Sequence, residues 1–203
     1  MLESLKSGGF FMIPIILCGI IATFIIVERC IYFANIKKRD AKLMSDLNDS
    51  LSNANYEACA VACAQADTPM AAVVKKAVEC RRYEEKDLRE IVEVQMDYAV
   101  PKLEHLLTTL GTIANIATLL GLLGTVTGNI KAFGVLGSGG SMGDPTLLAS
   151  AIAEALITTV AGLCVAIPSL IFHNYFLSKV NHNIVEMESN ITNILLRLMG
   201  RVR

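Results

Sequence analysis

Three side chains in the second half of the chain could exchange protons or hydrogen bonds in apolar surroundings. Glu154 carries a carboxylate, while Thr125 and Thr159 carry hydroxyls within stretches that are almost free of charge. A carboxylate can take up and release a proton, whereas a hydroxyl donates and accepts hydrogen bonds without holding a charge. The three residues are therefore candidates for a functional site within the apolar part of the chain.

The elements that position these residues are long uncharged runs. Residues 10–27, 106–130 and 155–178 contain no Asp, Glu, Lys or Arg. About 20 apolar residues suffice to cross the hydrocarbon core of a bilayer. Glu3 precedes the first run and no small-residue cleavage site follows it, which argues against a signal peptide. The sequence thus predicts an all-α membrane protein with transmembrane helices over 10–33, 106–136 and 150–178.

The depths of the two threonines match in this arrangement. Thr125 lies about a dozen residues before the turn that joins the second and third spans, and Thr159 about ten residues after it. At 1.5 Å per residue, both hydroxyls are predicted roughly 15 Å below the membrane surface and close to each other. The alternative is that each hydroxyl bonds a carbonyl of its own helix, as threonines in transmembrane helices usually do.

Small residues recur at helical spacing around both threonines, and such residues let helices approach closely in lipid. The predicted seams could associate neighbouring subunits in a homo-oligomer, or they could serve helix packing alone. The packing residues assigned to the two spans are Gly121, Gly124, Gly128, Ala155, Gly162 and Pro168.

The distribution of Lys and Arg predicts the topology. The segment 34–105 contains eleven of them, whereas the loop 137–149 contains none. Because cytoplasmic loops carry the excess of Lys and Arg, residues 34–105 and the C-terminal helix 179–203 are predicted inside the cell. Residues 1–9 and 137–149 are then predicted in the periplasm.

The cytoplasmic segment is predicted to be helical. Asn53 is expected to cap a helix ending near Gln65, and Thr68 a second helix that starts at Pro69 and ends near Arg82. A third helix over 84–100 is expected to kink at Pro101 as it enters the second span. A flexible turn between the second and third spans is expected at residues 137–141.

The remaining polar residues indicate no enzyme chemistry. Cys59 and Cys63 lie one helical turn apart among alanines, which favours two buried apolar thiols over a metal or redox pair. No metal, cofactor or nucleic-acid partner is expected, because ligand spacings and phosphate loops are missing and the net charge is -1. Lys131 is expected to extend to the outer interface. Glu154 is either a functional intramembrane acid or an interfacial carboxylate.

The two later spans resemble those of a known family. Residues 113–128, with Leu-Leu-Gly-Leu-Leu-Gly-Thr-Val-Thr-Gly at their end, are similar to the second-span motif of the ExbB/TolQ/MotA proton-channel family. Residues 152–168, from Ile-Ala-Glu-Ala through Ala-Ile-Pro, resemble its third-span motif, and the run from Gly8 to Pro14 resembles its first-span opening. The chain departs from the family pattern at Thr118, where proline is common, and in its polar outer end with Asn129 and Lys131. The ExbB/TolQ branch fits best, since the flagellar branch normally has four spans.

The resemblance implies a function and partners. In that family, a pentameric ring surrounds a dimeric single-span partner of the ExbD/TolR kind, whose intramembrane Asp carries the proton. Thr125, Thr159 and Glu154 match the family positions that line the path. The implied protein sits in the bacterial inner membrane and, with a TonB/TolA-like protein, transmits energy to outer-membrane transport or envelope maintenance. The alternatives are a non-conducting membrane scaffold and a small-solute transporter.

Overall fold

The computed structural model describes residues 9–52, 55–138 and 145–199, and most of these residues are helical. No strand occurs in these ranges. The all-α prediction is thereby confirmed. The helices are α1 (Met12–Ser52), α2 (Tyr56–Ala66), α3 (Pro69–Glu79), α4 (Glu85–Glu104), α5 (Leu107–Ser138) and α6 (Pro145–Leu198).

Three helical stretches are long and apolar enough to cross a membrane, namely Met12–Leu51, Glu85–Gly137 and Pro145–Leu198. Large apolar side chains are exposed along their length, as at Phe24, which is 69% exposed, and Leu119, which is 63% exposed. A helix that carries apolar residues around its whole circumference requires an apolar environment. The chain is therefore a multi-pass membrane protein, as the three uncharged runs predicted.

The chain divides into two compact units. The membrane unit comprises Met1–Glu28 and Leu106–Tyr175, and the charged unit comprises Arg29–His105 and Phe176–Arg203. The membrane unit holds the beginning of α1, all of α5 and the first part of α6. The charged unit holds the rest of α1 and α6 together with α2, α3 and α4.

Helices α1 and α6 continue well beyond the predicted spans. α1 runs for 41 residues and α6 for 54 residues without interruption. Charged residues end a membrane span, but they do not end a helix. The span predicted at 10–33 is therefore only the first part of α1. The segment 179–203, predicted as a separate helix, continues α6 as far as Leu198. Pro14 falls in the first turn of α1, where its missing N–H group removes no intrahelical hydrogen bond.

Capping side chains fix the short helices of the charged unit. Asn55 caps α2 by accepting a hydrogen bond from the backbone N–H of Ala58. The cap predicted at Asn53 is therefore placed two residues too early, and Asn53 itself lies outside the described residues. Thr68 caps α3 through the N–H of Ala71, as predicted. Helix α3 ends at Glu79 and turns continue to Arg82, the predicted end.

The break between α4 and α5 comes later than Pro101. α4 continues through Pro101 to Glu104, and the chain turns at His105 and Leu106. Leu106 takes a left-handed conformation with a φ of 65°. The sequence correctly predicted an interruption here, but the turn lies at the left-handed residue instead of at the proline.

A buried cluster holds α1, α3 and α6 together inside the charged unit. The rings of Phe33 and Phe176 stack with centroids 5.7 Å apart. The hydroxyl of Thr68 donates a hydrogen bond to Asp40 Oδ1 at 2.5 Å. Burial raises the pKa of Asp40, the charge of Glu186 adds to this rise, and the hydrogen bond from Thr68 opposes it. The contact links the middle of α1 to the first turn of α3.

Candidate functional site

Glycines bring α5 and α6 into backbone contact in the membrane unit. A Cβ atom added at Gly162 would lie 2.6 Å from the carbonyl oxygen of Ala117 and 3.0 Å from the Cα atom of Gly121. Backbone atoms form both contacts, so no side chain can rotate away to make room. Gly124 and Gly128 continue the contact along α5, against Thr158 and Ala155. We call this contact the glycine seam; it comprises Ala117, Gly121, Gly124, Gly128, Ala151, Ala155, Thr158 and Gly162.

The glycine seam lies within a single chain. The sequence assigned the small-residue faces of the second and third spans to contacts between subunits as well as to packing. The structure places the face of α5 directly on the face of α6 of the same chain. Ala166 is buried on α6, whereas Pro168 lies inside α6 on its exposed side. A contact between subunits through these faces stays a prediction.

Thr159 bonds across the seam. Its hydroxyl donates to the carbonyl oxygen of Gly121 on α5 at 2.9 Å and lies 3.3 Å from the carbonyl oxygen of Ala155 on its own helix. The side chain is half-buried. Because the cross-helix distance is the shorter one, the hydroxyl is directed into the seam, not only back to its own helix.

Thr125 lies at the edge of the seam and does not meet Thr159. The Thr125 hydroxyl donates to the carbonyl oxygen of Leu122 at 2.6 Å. Thr159 donates instead to the carbonyl oxygen of Gly121, which is adjacent along α5 to the Leu122 carbonyl that accepts from Thr125. Among the described residues, no hydrogen bond joins the two hydroxyls. Their matched depth in the membrane stays a prediction.

Glu154 is paired at one end of the seam. Its Oε1 atom lies 2.8 Å from the ammonium nitrogen of Lys131, and the side chains of Lys131 and Glu154 are 58% and 27% exposed. Gly9 passes so close to this carboxylate that a Cβ atom there would overlap Oε1, and its φ of +64° also favours glycine. Lys131 was expected to extend to the interface alone. Helix α5, helix α6 and the segment at Gly9 therefore meet at the Glu154 side chain.

The opposite end of the α5–α6 pair carries a histidine. Nδ1 of His173 lies 2.9 Å from the carbonyl oxygen of Leu107, and the ring packs against Gly111. The α5–α6 pair thus has an ion pair at one end, hydroxyls in its middle and an imidazole at the other end.

One residue of the site escaped sequence reasoning. Thr158 is buried against Gly124 and donates to the carbonyl oxygens of Ala155 at 2.8 Å and Glu154 at 3.2 Å. The signal for Thr158 was its four-residue spacing from Glu154, which places both on one face of α6. Lys131 was named from the sequence, but its pairing with Glu154 was not predicted.

The cysteines form no second site in the part of the chain that the structure describes. All six are free thiols, and no group of three His, Cys, Asp or Glu side chains there could hold a metal ion. Burial raises the pKa of Cys59, and it raises the pKa of Cys63 to about 11. Both thiols are buried in the core of the charged unit and remain protonated at neutral pH.

Comparisons with known proteins relate the chain to one family. The MotA/TolQ/ExbB proton channel family matches residues 65–189. Biopolymer transport protein ExbB-like 3 of Synechocystis is 30% identical over 173 residues, which cover 85% of this chain and 82% of that protein. The biopolymer transport protein ExbB of Neisseria meningitidis serogroup A is 28% identical over 183 residues, covering 82% of this chain and 80% of that protein. The Tol-Pal system protein TolQ of Haemophilus influenzae is 35% identical over 96 residues, covering 47% of this chain and 42% of that protein.

A multi-pass helical protein with a carboxylate, an ammonium and hydroxyls along one pair of membrane-spanning helices is typical of proteins that move ions through membranes. The chain belongs to the MotA/TolQ/ExbB proton channel family, because the family match covers more than half of it and an ExbB-like relative matches most of its length. It resembles the ExbB and TolQ members, as its spans predicted. The family assignment also confirms the prediction that the chain is a membrane transport protein and not an enzyme.

Proposed function

We propose that the chain is the ring subunit of a proton-driven motor in the bacterial inner membrane. A ring of copies, five in the family that it resembles, would surround a single-span ExbD/TolR-like partner. The motor would transmit energy, with a TonB/TolA-like protein, to outer-membrane transport or envelope maintenance.

The order of polar groups on α6 carries this proposal. Glu154 comes first, Thr158 follows one turn later and Thr159 lies next to it, all against the glycine seam. Glu154 is the only carboxylate that the described residues of α5 and α6 place inside the predicted spans. Hydroxyls pass hydrogen bonds but cannot hold a proton as a charge. A chain of this kind needs a titrating acid from another protein at the depth of the threonines.

The roles of the individual residues follow from this requirement. Glu154 would receive the proton at the outer end of the path, and Thr159 would offer its hydroxyl to the partner's Asp. Thr125, which is half-buried and bonds the neighbouring carbonyl of α5, would offer a second hydroxyl. The glycine seam would keep α5 and α6 together while the partner moves past them.

The proposed orientation follows the positive-inside rule. The charged unit would lie in the cytoplasm, because the segment 34–105 carries eleven Lys and Arg against none in the loop 137–149. The N-terminus and that loop would lie in the periplasm.

Cysteine labelling tests this orientation. The native pair Cys59 and Cys63 is a poor reporter, because burial and the raised pKa keep both thiols unreactive on either side of the membrane. In a chain whose six cysteines are replaced by alanine, we therefore compare Lys86→Cys with Thr146→Cys, both at exposed positions. A membrane-impermeant maleimide added to cells with a permeabilised outer membrane should label only Thr146→Cys. Lysis should expose both, and the reverse pattern would contradict the orientation.

Proton flux in vesicles tests the function itself. The purified chain should be reconstituted alone, with an ExbD/TolR-like protein of the same organism, and with that protein after Asn replaces its intramembrane Asp. We expect internal acidification under an imposed proton gradient only in the second preparation, because only that one contains a titrating acid at the threonines. Proton flux through the chain alone would contradict the proposal that the partner supplies the titrating acid.

Two other functions give different results in the same vesicles. A non-conducting scaffold would bind the partner without any flux. A small-solute transporter would need a polar pocket between spans near the middle of the membrane. A cavity of about 390 Å³, whose lining includes Asp40, Lys179, His182 and Glu186, lies instead within the charged unit.

A further inference from the structure

Lys131 and Glu154 form a site that the proposed proton path does not explain. Lysine is unexpected inside a span, because its charge is costly unless it is paired or reaches the interface. Here the ammonium lies 2.8 Å from the carboxylate, close enough for a charge-assisted hydrogen bond. The pair links α5 to α6.

The location of the pair ties it to the glycine seam. Lys131 follows Gly128 by three residues, and Glu154 immediately precedes Ala155. Gly128 and Ala155 are themselves in contact, so the pair lies directly at the end of the closest approach between the two helices. The backbone at Gly9 also lies against the carboxylate and leaves no room there for a Cβ atom. The Glu154 side chain is therefore held by two contacts, the ion pair with Lys131 and the backbone at Gly9.

We propose that Lys131 is a positioning residue for proton entry, acting through Glu154. This inference rests on the proposed function. A glutamate side chain has several rotatable bonds, and holding it in one geometry lowers the cost of each proton transfer that uses it. The ammonium fixes Oε1 above the seam and leaves Oε2 for the incoming proton. It also balances the carboxylate charge at a place where burial in lipid would oppose it.

The proposal predicts a particular pattern in a double-mutant cycle of proton flux measured with the partner. Lys131→Met keeps most of the aliphatic stem and removes the charge, and it should lower flux about tenfold, which corresponds to about 1.4 kcal/mol. Lys131→Arg keeps a cation within reach and should retain most of the flux. In a Glu154→Gln background, Lys131→Met should cause no further loss, because its target is already gone.

Other outcomes would overturn this role. Lys131→Met could lower proton flux by the same factor in the wild-type and Glu154→Gln backgrounds. That result would mean that the lysine acts on its own, as an anchor to lipid headgroups. Unchanged flux in Lys131→Met would mean that the carboxylate does not need it. Size-exclusion chromatography of each complex separates these results from failed assembly, and Lys131→Arg provides the variant that keeps the charge.

A chemical measurement tests the pair without any flux. A water-soluble carbodiimide activates a carboxyl group, and an adjacent lysine amine then displaces the activating group to form an amide with loss of one water. Mass spectrometry should find a peptide joining Lys131 to Glu154 in the wild type and none in Lys131→Arg or Glu154→Gln. Absence of this cross-link in the wild type would contradict the pairing. Absence of partner-dependent flux in the wild type would instead contradict the proposed function, and the cross-link would still report on the pair.

Discussion

Replacing Thr159 by valine should remove most partner-dependent proton flux, whereas replacing it by serine should retain much of it. Valine keeps the shape of threonine but cannot donate to the carbonyl oxygen of Gly121, which the Thr159 hydroxyl contacts at 2.9 Å. Serine keeps that donor and loses one methyl group. Since a hydrogen bond contributes about 1 kcal/mol and a transfer step depends on it directly, we expect a loss of roughly tenfold or more in the valine variant.

The two variants separate a role in proton transfer from a role in packing. If Thr159 only packs, valine should be mild and serine the more harmful of the two. Thr127→Val is a matched control, because the Thr127 hydroxyl donates only to Leu123 and Gly124 carbonyls of its own helix. That control should keep both flux and assembly. Full flux in Thr159→Val would remove this residue from the path and leave the motor proposal resting on Glu154 and the partner.

The number and location of the spans could be predicted because charge is excluded from lipid with a large free-energy penalty. The same reasoning could not predict where the helices end. Nothing in the charged sequence after residue 33 stops α1, so it continues to Ser52. Hydropathy reports where the chain leaves the membrane, whereas a helix ends only where a cap, a glycine or a left-handed residue intervenes. Thr68 and Pro69 supplied such a local signal, and there the prediction was correct.

Individual site residues were visible in the sequence, but their pairing was not. Small residues at helical spacing predict that a helix will approach something closely, without showing whether that neighbour belongs to the same chain. Thr158 and Thr159 are adjacent and point about 100° apart around α6. How far each hydroxyl enters the seam depends on the rotation of α6 against α5. The axial register of the two helices likewise decides that Lys131 lies beside Glu154.

The glycine seam leads to the prediction with the largest expected effect on stability. Gly162→Ala should lower the free energy of unfolding of the protein in detergent, although alanine normally stabilises a helix by about 1 kcal/mol relative to glycine. The added methyl group would lie 2.6 Å from the Ala117 carbonyl oxygen and 3.0 Å from the Gly121 Cα atom. Both neighbours are backbone, so α5 and α6 must separate along their length. Overpacking of this kind costs about 1–3 kcal/mol.

Gly134→Ala is the matched control for this variant, because a Cβ atom there meets nothing within 4 Å. It lies in α5 as Gly162 lies in α6, so it should show the intrinsic helix preference alone and be neutral or slightly stabilising. Thermal unfolding followed by circular dichroism in the same detergent should rank Gly134→Ala at or above the wild type and Gly162→Ala well below it. A Gly162→Ala protein as stable as the control would mean that the two helices are not in backbone contact. Because Gly162 packs within its own chain, Gly162→Leu should disrupt the single subunit first, and any loss of the oligomer should follow from that disruption.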